Sequence, residues 1–336
     1  MEYVQYGDIT PRNAVKSWGK LLTRLSPTLI TERTAQTKPM PKGAGKSVQF
    51  RRYIKLAHNY ASFVAQEGIT PPGQKPTYVD VACTLEQYIG WIGITDVIDD
   101  THEDPISDEF KDLLGDQMRE VRESANIATL VGGTNVYYAN GVQRTEVNTF
   151  PSRGLFRKIV REMKGNDCKF YTSVLAGGAG LGTVPVGAAM IAMGHTDMGP
   201  DLANMTGYTE VKDYPNQKSI MGEAEHGSGP QIRFMLTSMF TPWADVGAAG
   251  ATMIATTDSS AAVDVYPCII LSPDAWGTVP LRGANSGQVM VVNPKPAHGD
   301  PAGQRGSLAW KTWHAAVILD DDRMARVELA CTENPS

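Results

Sequence analysis

DPISDEFKDLLGDQMREVRESANIATLVGG, residues 104 to 133, is the strongest helical pattern in the sequence. Asp104 suits an N-cap, Pro105 suits the first helical position, and Gly132 and Gly133 would end the helix. Apolar residues recur between them at steps of three and four: Phe110, Leu114, Met118, Val121, Ala125 and Ala128. At 1.5 Å per residue, a helix over about residues 104–132 spans roughly 40 Å. Its narrow apolar stripe predicts a helix that crosses a flat domain and is covered on one side only.

Two extended stretches precede this helix. Residues 47–55, SVQFRRYIK, alternate with Val48, Phe50 and Ile54 on one face, which predicts a strand. Residues 78–98 form a second extended stretch. The tip between them contains Gly68, Pro71, Pro72, Gly73, Lys75 and Pro76. Together they predict a long two-stranded excursion, which is marginal in water alone and therefore needs a partner.

The N-terminal residues also need a surface to lie on. Residues 10–26 predict a helix that begins at Thr10 and Pro11, and its apolar stripe consists of Ala14, Trp18, Leu21, Leu22 and Leu25. Residues 26–45 are polar and rich in Pro and Gly, which predicts an extended, irregular arm. A helix and arm of this length have no core of their own.

Charge is distributed unevenly along the chain. The formal net charge is −5, yet residues 1–52 carry ten Lys or Arg against three acids, a net of +7 that leaves −12 for the remainder. A basic arm on an acidic body predicts binding to something anionic, either nucleic acid or the acidic body of a neighbouring copy. A solvated basic face without a partner is the alternative.

The rest of the chain predicts an α+β fold. A helix is expected over residues 152–164, with Leu155, Phe156, Ile159, Val160 and Met163 on its apolar side. Short apolar runs alternate with Gly, Pro, Ser and Asn clusters from 168 to 305, as in an α+β domain with long loops. Residues 310–332 predict two strands, joined at Asp320–Asp322, that return to an earlier sheet.

The run PKGAGKSVQF, residues 41–50, contains the last three letters of a phosphate-binding Walker A motif at Gly45, Lys46 and Ser47. That motif requires a Gly at position 40, where the chain has Met40, and a helix after the loop, where we predict a strand. We therefore interpret Pro41, Gly43 and Gly45 as a hinge. The glycine-rich run GGAGLG (177–182) does not have the glycine spacing of a dinucleotide-binding loop, and HGSGP (226–230) does not have the spacing of a nucleophile elbow. We therefore interpret both as flexible surface loops.

No catalytic, cofactor or metal site is predicted. The acids around His102 precede a helix N-terminus, which favours them electrostatically, and His195 with Asp197 lacks a third ligand. Trp310, Trp313 and His314 are interpreted as strand packing. Cys83, Cys168, Cys268 and Cys331 lie far apart, which predicts reduced and mostly buried thiols. The sequence shows neither a secretory signal nor an apolar run of membrane-spanning length, so we expect no membrane association.

An arm, a ribbon and a long crossing helix indicate an architectural protein, and this order of parts resembles the HK97-type phage major capsid proteins. The sequence itself is similar to the major capsid family of the N4-like phages. The similar stretches are GDITPRNAVKSWGKLL, TERTAQTKPMPKGAGKSVQFRRY, EGITPPGQKPTYVDVACTLEQYIGWIGITDVIDDTHEDP, GTNVYYANG, GHTDMGPDLANMTGY, DVYPCIIL, DPAGQRGSLAWKTWHAAVIL and RMARVE. They run in order from residue 7 to residue 328.

The resemblance implies a division of the chain. Residues 1–45 would be an N-terminal arm that crosses onto a neighbouring subunit, 46–98 an extended E-loop with its base strands, 99–167 a P-domain with the spine helix, 168–305 an A-domain, and 306–336 strands that return to the P-domain. The predicted arm contacts are Arg12, Lys16, Trp18, Lys20, Arg24, Lys42 and Lys46, and the predicted tip contacts are Gly68, Pro71, Pro72, Gly73 and Lys75.

The function implied is self-assembly through pentamers and hexamers into an icosahedral head that encloses double-stranded DNA without sequence-specific binding. The similarity begins near Gly7, so we expect no N-terminal scaffolding domain. A separate scaffolding protein and a portal protein are the expected partners, with decoration proteins left open. Assembly in the host bacterial cytoplasm and a final place in the virion follow. The alternatives are an encapsulin-like compartment and an enzyme that depends on His195 or His226.

Overall fold

The structure is a computed structural model that describes residues 26–64, 67–69, 73–101, 106–174, 186–215, 219, 222–281, 287–296 and 298–334. Its strands are β1 (Gln36–Thr37), β2 (Ser47–Tyr53), β3 (Tyr78–Thr84), β4 (Glu86–Thr95), β5 (Val136–Tyr138), β6 (Met190–Gly194), β7 (Thr209–Glu210), β8 (Glu225–Ser228), β9 (Ile232–Leu236), β10 (Tyr266–Leu271), β11 (Trp276–Thr278), β12 (Gly287–Val292), β13 (Arg305–His314), β14 (Ala316–Ile318) and β15 (Met324–Leu329). Its α-helices are α1 (Asp96–Thr101), α2 (Ile106–Val131), α3 (Arg153–Gly165) and α4 (Gly199–Ala203).

A seven-stranded sheet in the order β5-β15-β10-β6-β9-β8-β7 forms the centre of the larger core. Strands β6, β9 and β10 are buried along their whole length, because apolar side chains cover both faces of the sheet. Helix α3 covers one face through its buried apolar side, as predicted, and Ser152 caps it by accepting a hydrogen bond from the Leu155 amide. The end of α2 and Trp276 cover the other face.

A separate antiparallel sheet, β12-β13-β4, packs against the first half of α2. Leu114 of the helix forms one buried apolar cluster with Ile94, Leu308 and Trp310 of the sheet. Strand packing, as predicted, is therefore the role of Trp310. Because α2 continues from this sheet to the seven-stranded sheet, one helix joins both cores.

The predicted bounds of α2 are close to those observed, but its predicted apolar stripe is wrong in the second half. The helix ends at Val131, directly before the glycine pair, whereas the predicted cap at Asp104 and Pro105 lies outside the described residues. Beyond Val121 the buried positions include Glu123 and Asn126, while Ala128 is exposed. Two polar residues are buried there because residues 30–31 pack on the helix and need hydrogen-bond partners.

The predicted two-stranded excursion is present. Strands β2 and β3 pair antiparallel from Ser47 opposite Thr84 to Tyr53 opposite Tyr78. The second extended stretch is not one strand, however. It breaks at Leu85, β4 pairs instead with β13, and residues 96–98 belong to helix α1 and not to a strand as predicted.

The last strands return to earlier ones, as expected, but each joins a different sheet. Strand β13 pairs with β4 and β12, β14 pairs with β11, and β15 pairs with β10 and β5. Ala315 separates β13 from β14, and a 3-10 turn at Asp321–Arg323 precedes β15. The domain division stays a prediction, and its boundary after residue 305 separates the first residue of β13 from the rest of that strand and from most of its pairing with β12.

One glycine-rich prediction is wrong and another is untested. The run at 226–230 was expected to be a flexible surface loop, yet Glu225–Ser228 form strand β8 inside the larger core. Glycine is required there because a Cβ at Gly227 would lie 2.4 Å from the Tyr208 hydroxyl oxygen. The run 177–182 lies outside the described residues, as does the predicted helix over residues 10–26 except for Ser26.

Candidate functional site

The ribbon formed by β2 and β3, together with the connection between them, exposes an unusual amount of apolar surface. Tyr60 is 84% exposed. The other large exposed apolar side chains of this segment are Tyr53, Ile54, Leu56, Phe63, Val64, Ile69, Tyr78 and Val79. Monomeric soluble proteins rarely expose contiguous apolar surface on this scale, so the ribbon has the composition of a contact surface.

A cross-strand contact stiffens the ribbon. Arg51 of β2 donates two hydrogen bonds of 2.7 Å to the Asp80 carboxylate of β3, and its guanidinium group lies 4.1 Å from the centre of the Tyr78 ring. The Arg51 hydrogen bond holds the pKa of Asp80 below its usual value. The apolar side chains are thus carried on an ordered strand pair.

The predicted tip contacts are only partly described. Gly68, Gly73 and Lys75 are exposed, and Gly68 has a φ of +78°, which suits a turn. Pro71 and Pro72 lie outside the described residues. The structure therefore places three of the five predicted tip residues at the end of the ribbon, in solvent.

The base of the ribbon begins at a glycine turn. Gly43 and Gly45 have φ angles of +86° and +98°, so the predicted change of direction at this point is confirmed. Lys42 and Lys46 flank the turn and are exposed, and neither forms an ion pair within the described part of the chain. The other five predicted arm contacts, Arg12, Lys16, Trp18, Lys20 and Arg24, lie outside the described residues.

Charged side chains hold the ribbon base against the body across a cleft of about 610 Å³. Arg52 pairs with Asp320, which also accepts a hydrogen bond of 3.1 Å from Arg323. Lys55 pairs with Asp167 at 2.9 Å. Positive and negative groups alternate along this cleft, so its charge is largely satisfied within the chain.

Residues 30–40 lie on the chain's own core, which corrects part of the predicted arm. Ile30 and Met40 are buried in two apolar clusters, and β1 pairs in parallel with β11 between them. The segment is largely irregular, as predicted, and the surface it lies on belongs to the same chain, because its apolar side chains and backbone groups find partners there. The crossing of the residues before Ile30 onto a neighbouring subunit stays a prediction.

A directed chain of hydrogen bonds fixes the start of this segment to α2. Thr31 donates its hydroxyl hydrogen to Glu123, and Asn126 donates from Nδ2 to the Thr31 hydroxyl oxygen at 3.0 Å. The Asn126 Oδ1 atom is therefore left to accept, at 2.7 Å, from Nε2 of neutral His314. Burial, reinforced by the nearby Arg122 charge, lowers the pKa of His314 to about 4.

The outer face of the β12-β13-β4 sheet carries exposed apolar side chains that the sequence analysis missed. Ile89 and Trp91 of β4 are 60% and 46% exposed, and Met290 and Val292 of β12 are also exposed. One pattern in the sequence indicates this surface. Both the odd-numbered and the even-numbered positions of β4 include large apolar residues, which is typical of a strand covered on both faces. This face is a second candidate contact surface.

Two of the polar residues considered for catalysis or metal binding, His195 and His226, serve local structure, whereas His102 lies outside the described residues. His195 accepts a hydrogen bond from the Asp197 amide at 3.1 Å, and His226 lies 2.6 Å from the Tyr208 hydroxyl. Burial lowers the pKa of His226. Among the residues that the structure describes, no three His, Cys, Asp or Glu side chains are grouped to hold a metal ion.

The cysteines match their prediction. All four are free; Cys83, Cys268 and Cys331 are buried and Cys168 is partly exposed. Burial raises the pKa of Cys268 to about 12, so that thiol is unreactive at neutral pH. In the described part of the chain, no helix is both long and apolar enough to cross a bilayer.

No protein-family profile matches the chain, and no curated protein matches it in sequence. Solved phage capsids match over nearly its whole length. The capsid of Ralstonia phage GP4 is 10% identical, with a TM-score of 0.67 and full coverage of both chains. The capsid of cyanophage P-SCSP1u is 12% identical over 95% of this chain and 94% of its own, with a TM-score of 0.61. The head of Helicobacter pylori bacteriophage KHP40 is 10% identical over 98% of both chains, with a TM-score of 0.61.

These likenesses define the fold. The chain has the fold of phage capsid proteins, and the predicted α+β class with an HK97-type arrangement is confirmed.

Proposed function

We propose that the chain is the major capsid protein of a tailed bacteriophage, which assembles through pentamers and hexamers into the head that encloses the double-stranded genome. The observation that carries this proposal is the end-to-end likeness to phage capsid structures, with 94–100% of each compared chain covered. The matched structures do not favour the encapsulin-like alternative. Kinship with the N4-like phages rests on the sequence stretches quoted above.

The ribbon is the proposed contact between subunits. Each copy exposes apolar side chains on the ribbon and on the outer face of the β12-β13-β4 sheet, and a shell lets every copy cover such surfaces with neighbours. The tip residues Gly68, Pro71, Pro72, Gly73 and Lys75 would reach the next subunit. Lys42 and Lys46 would meet carboxylates of the neighbour.

Other partners follow from this role. The proposal includes a separate scaffolding protein, a portal at one vertex and a final place in the virion after assembly in the host cytoplasm. Residues 1–25 carry a net charge of +2, from four basic and two acidic residues, on a chain whose net charge is −5. Their docking on an acidic neighbour would make assembly sensitive to salt.

Negative-stain microscopy of the purified protein, alone and with lysate of infected cells, tests the proposal. We expect closed shells. The variant Tyr60→Ser/Phe63→Ser/Ile69→Ser should remain folded and form none, because it removes exposed apolar groups of the ribbon. The matched control Val142→Ser/Phe150→Ser/Val174→Ser changes three exposed apolar residues outside the ribbon and should form shells. Shells from the ribbon variant, or none from the unaltered chain under either condition, would contradict the proposal.

A further inference from the structure

A row of basic side chains follows the exposed side of α3. Its members, here called the α3 stripe, are Arg153, Arg157, Arg161 and Lys164, and all four are exposed. At 3.6 residues per turn they fall within about 80° of one side of the helix. The sequence analysis found basic charge only near the N-terminus, because it treated this helix solely as an apolar pattern.

The stripe is held rigidly. The opposite side of α3 is buried in the larger core through Phe156, Ile159 and Met163, so the helix has a fixed position and rotation. Lys164 donates a 3.0 Å hydrogen bond to Gln231 and lies 4.3 Å from the centre of the Phe170 ring. These contacts orient the charges without neutralising them.

Within the described residues, the stripe has almost no internal counter-charge. The groove along it, about 440 Å³, is lined by Arg153, Arg157, Val160, Arg161, Lys164, Pro230 and Gln231, and no carboxylate of the described chain lines it. Among the described residues the stripe forms one ion pair, between Arg161 and Glu162 at 4.0 Å, which is the outer limit for such a contact. This differs from the cleft at the ribbon base, where acids and bases alternate. Four basic side chains with this one distant counter-charge, on a chain of net charge −5, indicate an external anionic partner.

The groove fits a phosphate backbone better than a protein. Interfaces between proteins centre on apolar or aromatic side chains, whereas the one large apolar residue lining this groove, Val160, is buried. Three of the four basic side chains are arginines, and each planar guanidinium group can donate two parallel hydrogen bonds to the oxygens of one phosphate. From Arg153 to Lys164 the helix rises about 17 Å, the axial length of about five phosphates along one DNA strand.

We propose that the α3 stripe binds the phosphate backbone of duplex DNA without reading its sequence. The inference rests on the proposed function in one respect: the polyanion that such a subunit meets is the packaged genome, so the stripe would face the interior of the shell. Binding is weak for one subunit, since it uses about four phosphates, and becomes effective through many copies.

The test measures binding of the soluble full-length chain to a fluorescent 20-base-pair duplex of arbitrary sequence over a range of salt concentrations. The variant is Arg153→Gln/Arg157→Gln/Arg161→Gln. We expect at least tenfold weaker binding and a slope of log K against log salt that is shallower by about 3, because three phosphate contacts are lost. The control Lys169→Gln/Lys295→Gln/Lys311→Gln makes the same charge change at scattered exposed positions and should keep the slope. Equal loss in both variants would overturn the proposal.

Assembled particles give a second, independent readout. Closed shells of the unaltered chain should not bind added duplex, because the stripe is inside, while soluble subunits do. Shells that bind added duplex through the stripe would overturn the interior assignment, and a stripe variant that binds duplex normally but forms no shells would identify a subunit interface instead. If the unaltered chain forms no shells, the proposed function fails, while the duplex measurement on soluble subunits still decides whether the stripe binds phosphate.

Discussion

Glu123 accepts two hydrogen bonds from Thr31, one from its backbone amide at 2.9 Å and one from its hydroxyl group. The same carboxylate accepts a 2.7 Å hydrogen bond from the Ile30 amide. Glu123 is 1% exposed and Thr31 is fully buried, so these bonds compensate for removing a charge and three donors from water. They attach the start of the residue 30–40 segment to the middle of α2.

Replacing this carboxylate should release the segment. In Glu123→Ala, three buried donors lose their acceptor, and we expect the free energy of unfolding to fall by about 3 kcal/mol. Amide hydrogen exchange at Ile30 and Thr31 should accelerate about 100-fold, while exchange in β6 changes no more than global stability requires. Ser124→Ala, at the adjacent exposed position, is the control and should leave both measurements unchanged. Unaltered exchange at Ile30 in Glu123→Ala would show that apolar packing alone holds the segment.

The buried His314 should make the subunit less stable in mild acid. Its pKa of about 4 in the folded chain lies below the value of about 6.5 expected when unfolded, so the folded state binds fewer protons between these values. Its contribution to stability is complete above pH 6.5 and is lost as the pH falls towards 4, by about 3 kcal/mol in total. Urea unfolding at several pH values measures this loss.

His314→Gln separates this effect from other titrating groups. Glutamine retains a donor for Asn126 but does not titrate, so the stability of the variant should change less between pH 6.5 and 4 than that of the unaltered chain. His226, whose pKa burial also lowers, remains in both proteins and cancels in the comparison. Parallel pH profiles for the two proteins would refute the assignment to His314.

Two glycines, Gly90 beside α2 and Gly115 inside it, should respond to alanine in opposite directions. A Cβ at Gly90 would lie 2.4 Å from Trp310 Nε1, which donates a 2.8 Å hydrogen bond to Gln117, so Gly90→Ala must displace the indole ring. We expect a loss of about 2 kcal/mol. Gly115 lies inside α2 with nothing within 4 Å of its Cβ position, so Gly115→Ala should stabilise by about 0.5–1 kcal/mol. Thermal unfolding of both variants checks the pair, and equal shifts in one direction would contradict this packing.

How far the sequence predicts the fold depends on whether a pattern is local. The α2 helix, the β2–β3 ribbon and the apolar side of α3 follow from periodicity within each segment, and all three are present. The burial of Glu123 and Asn126 does not follow from the helix pattern, because it depends on residues about 90 positions earlier in the chain. Likewise, a glycine-rich run at 226–230 resembles a loop until Tyr208 is known to press against it.

The contact surfaces show the same limit. The sequence indicates an exposed ribbon, since its strands are separated by a polar and proline-rich tip, and it identifies Lys42 and Lys46 beside a glycine turn. It does not indicate that β4 leaves the ribbon to pair with β13, because strand partners distant in sequence have no local signal. The outer face with Trp91 and the basic side of α3 are therefore visible only once the strands and helices are placed.

The segment before the described residues should be needed for assembly and not for folding. Deleting residues 1–25 removes Arg12, Lys16, Lys20 and Arg24 but keeps the anchors at Ile30 and Met40, so the variant should remain soluble with an unchanged unfolding transition. Because the basic charges that would meet an acidic neighbour are gone, we expect shell formation to be lost by microscopy and by sedimentation. Deletion of residues 2–6, which precede the capsid-like stretch, is the control and should retain shells. Normal particles from the longer deletion would show that these residues make no essential contact with a neighbouring subunit.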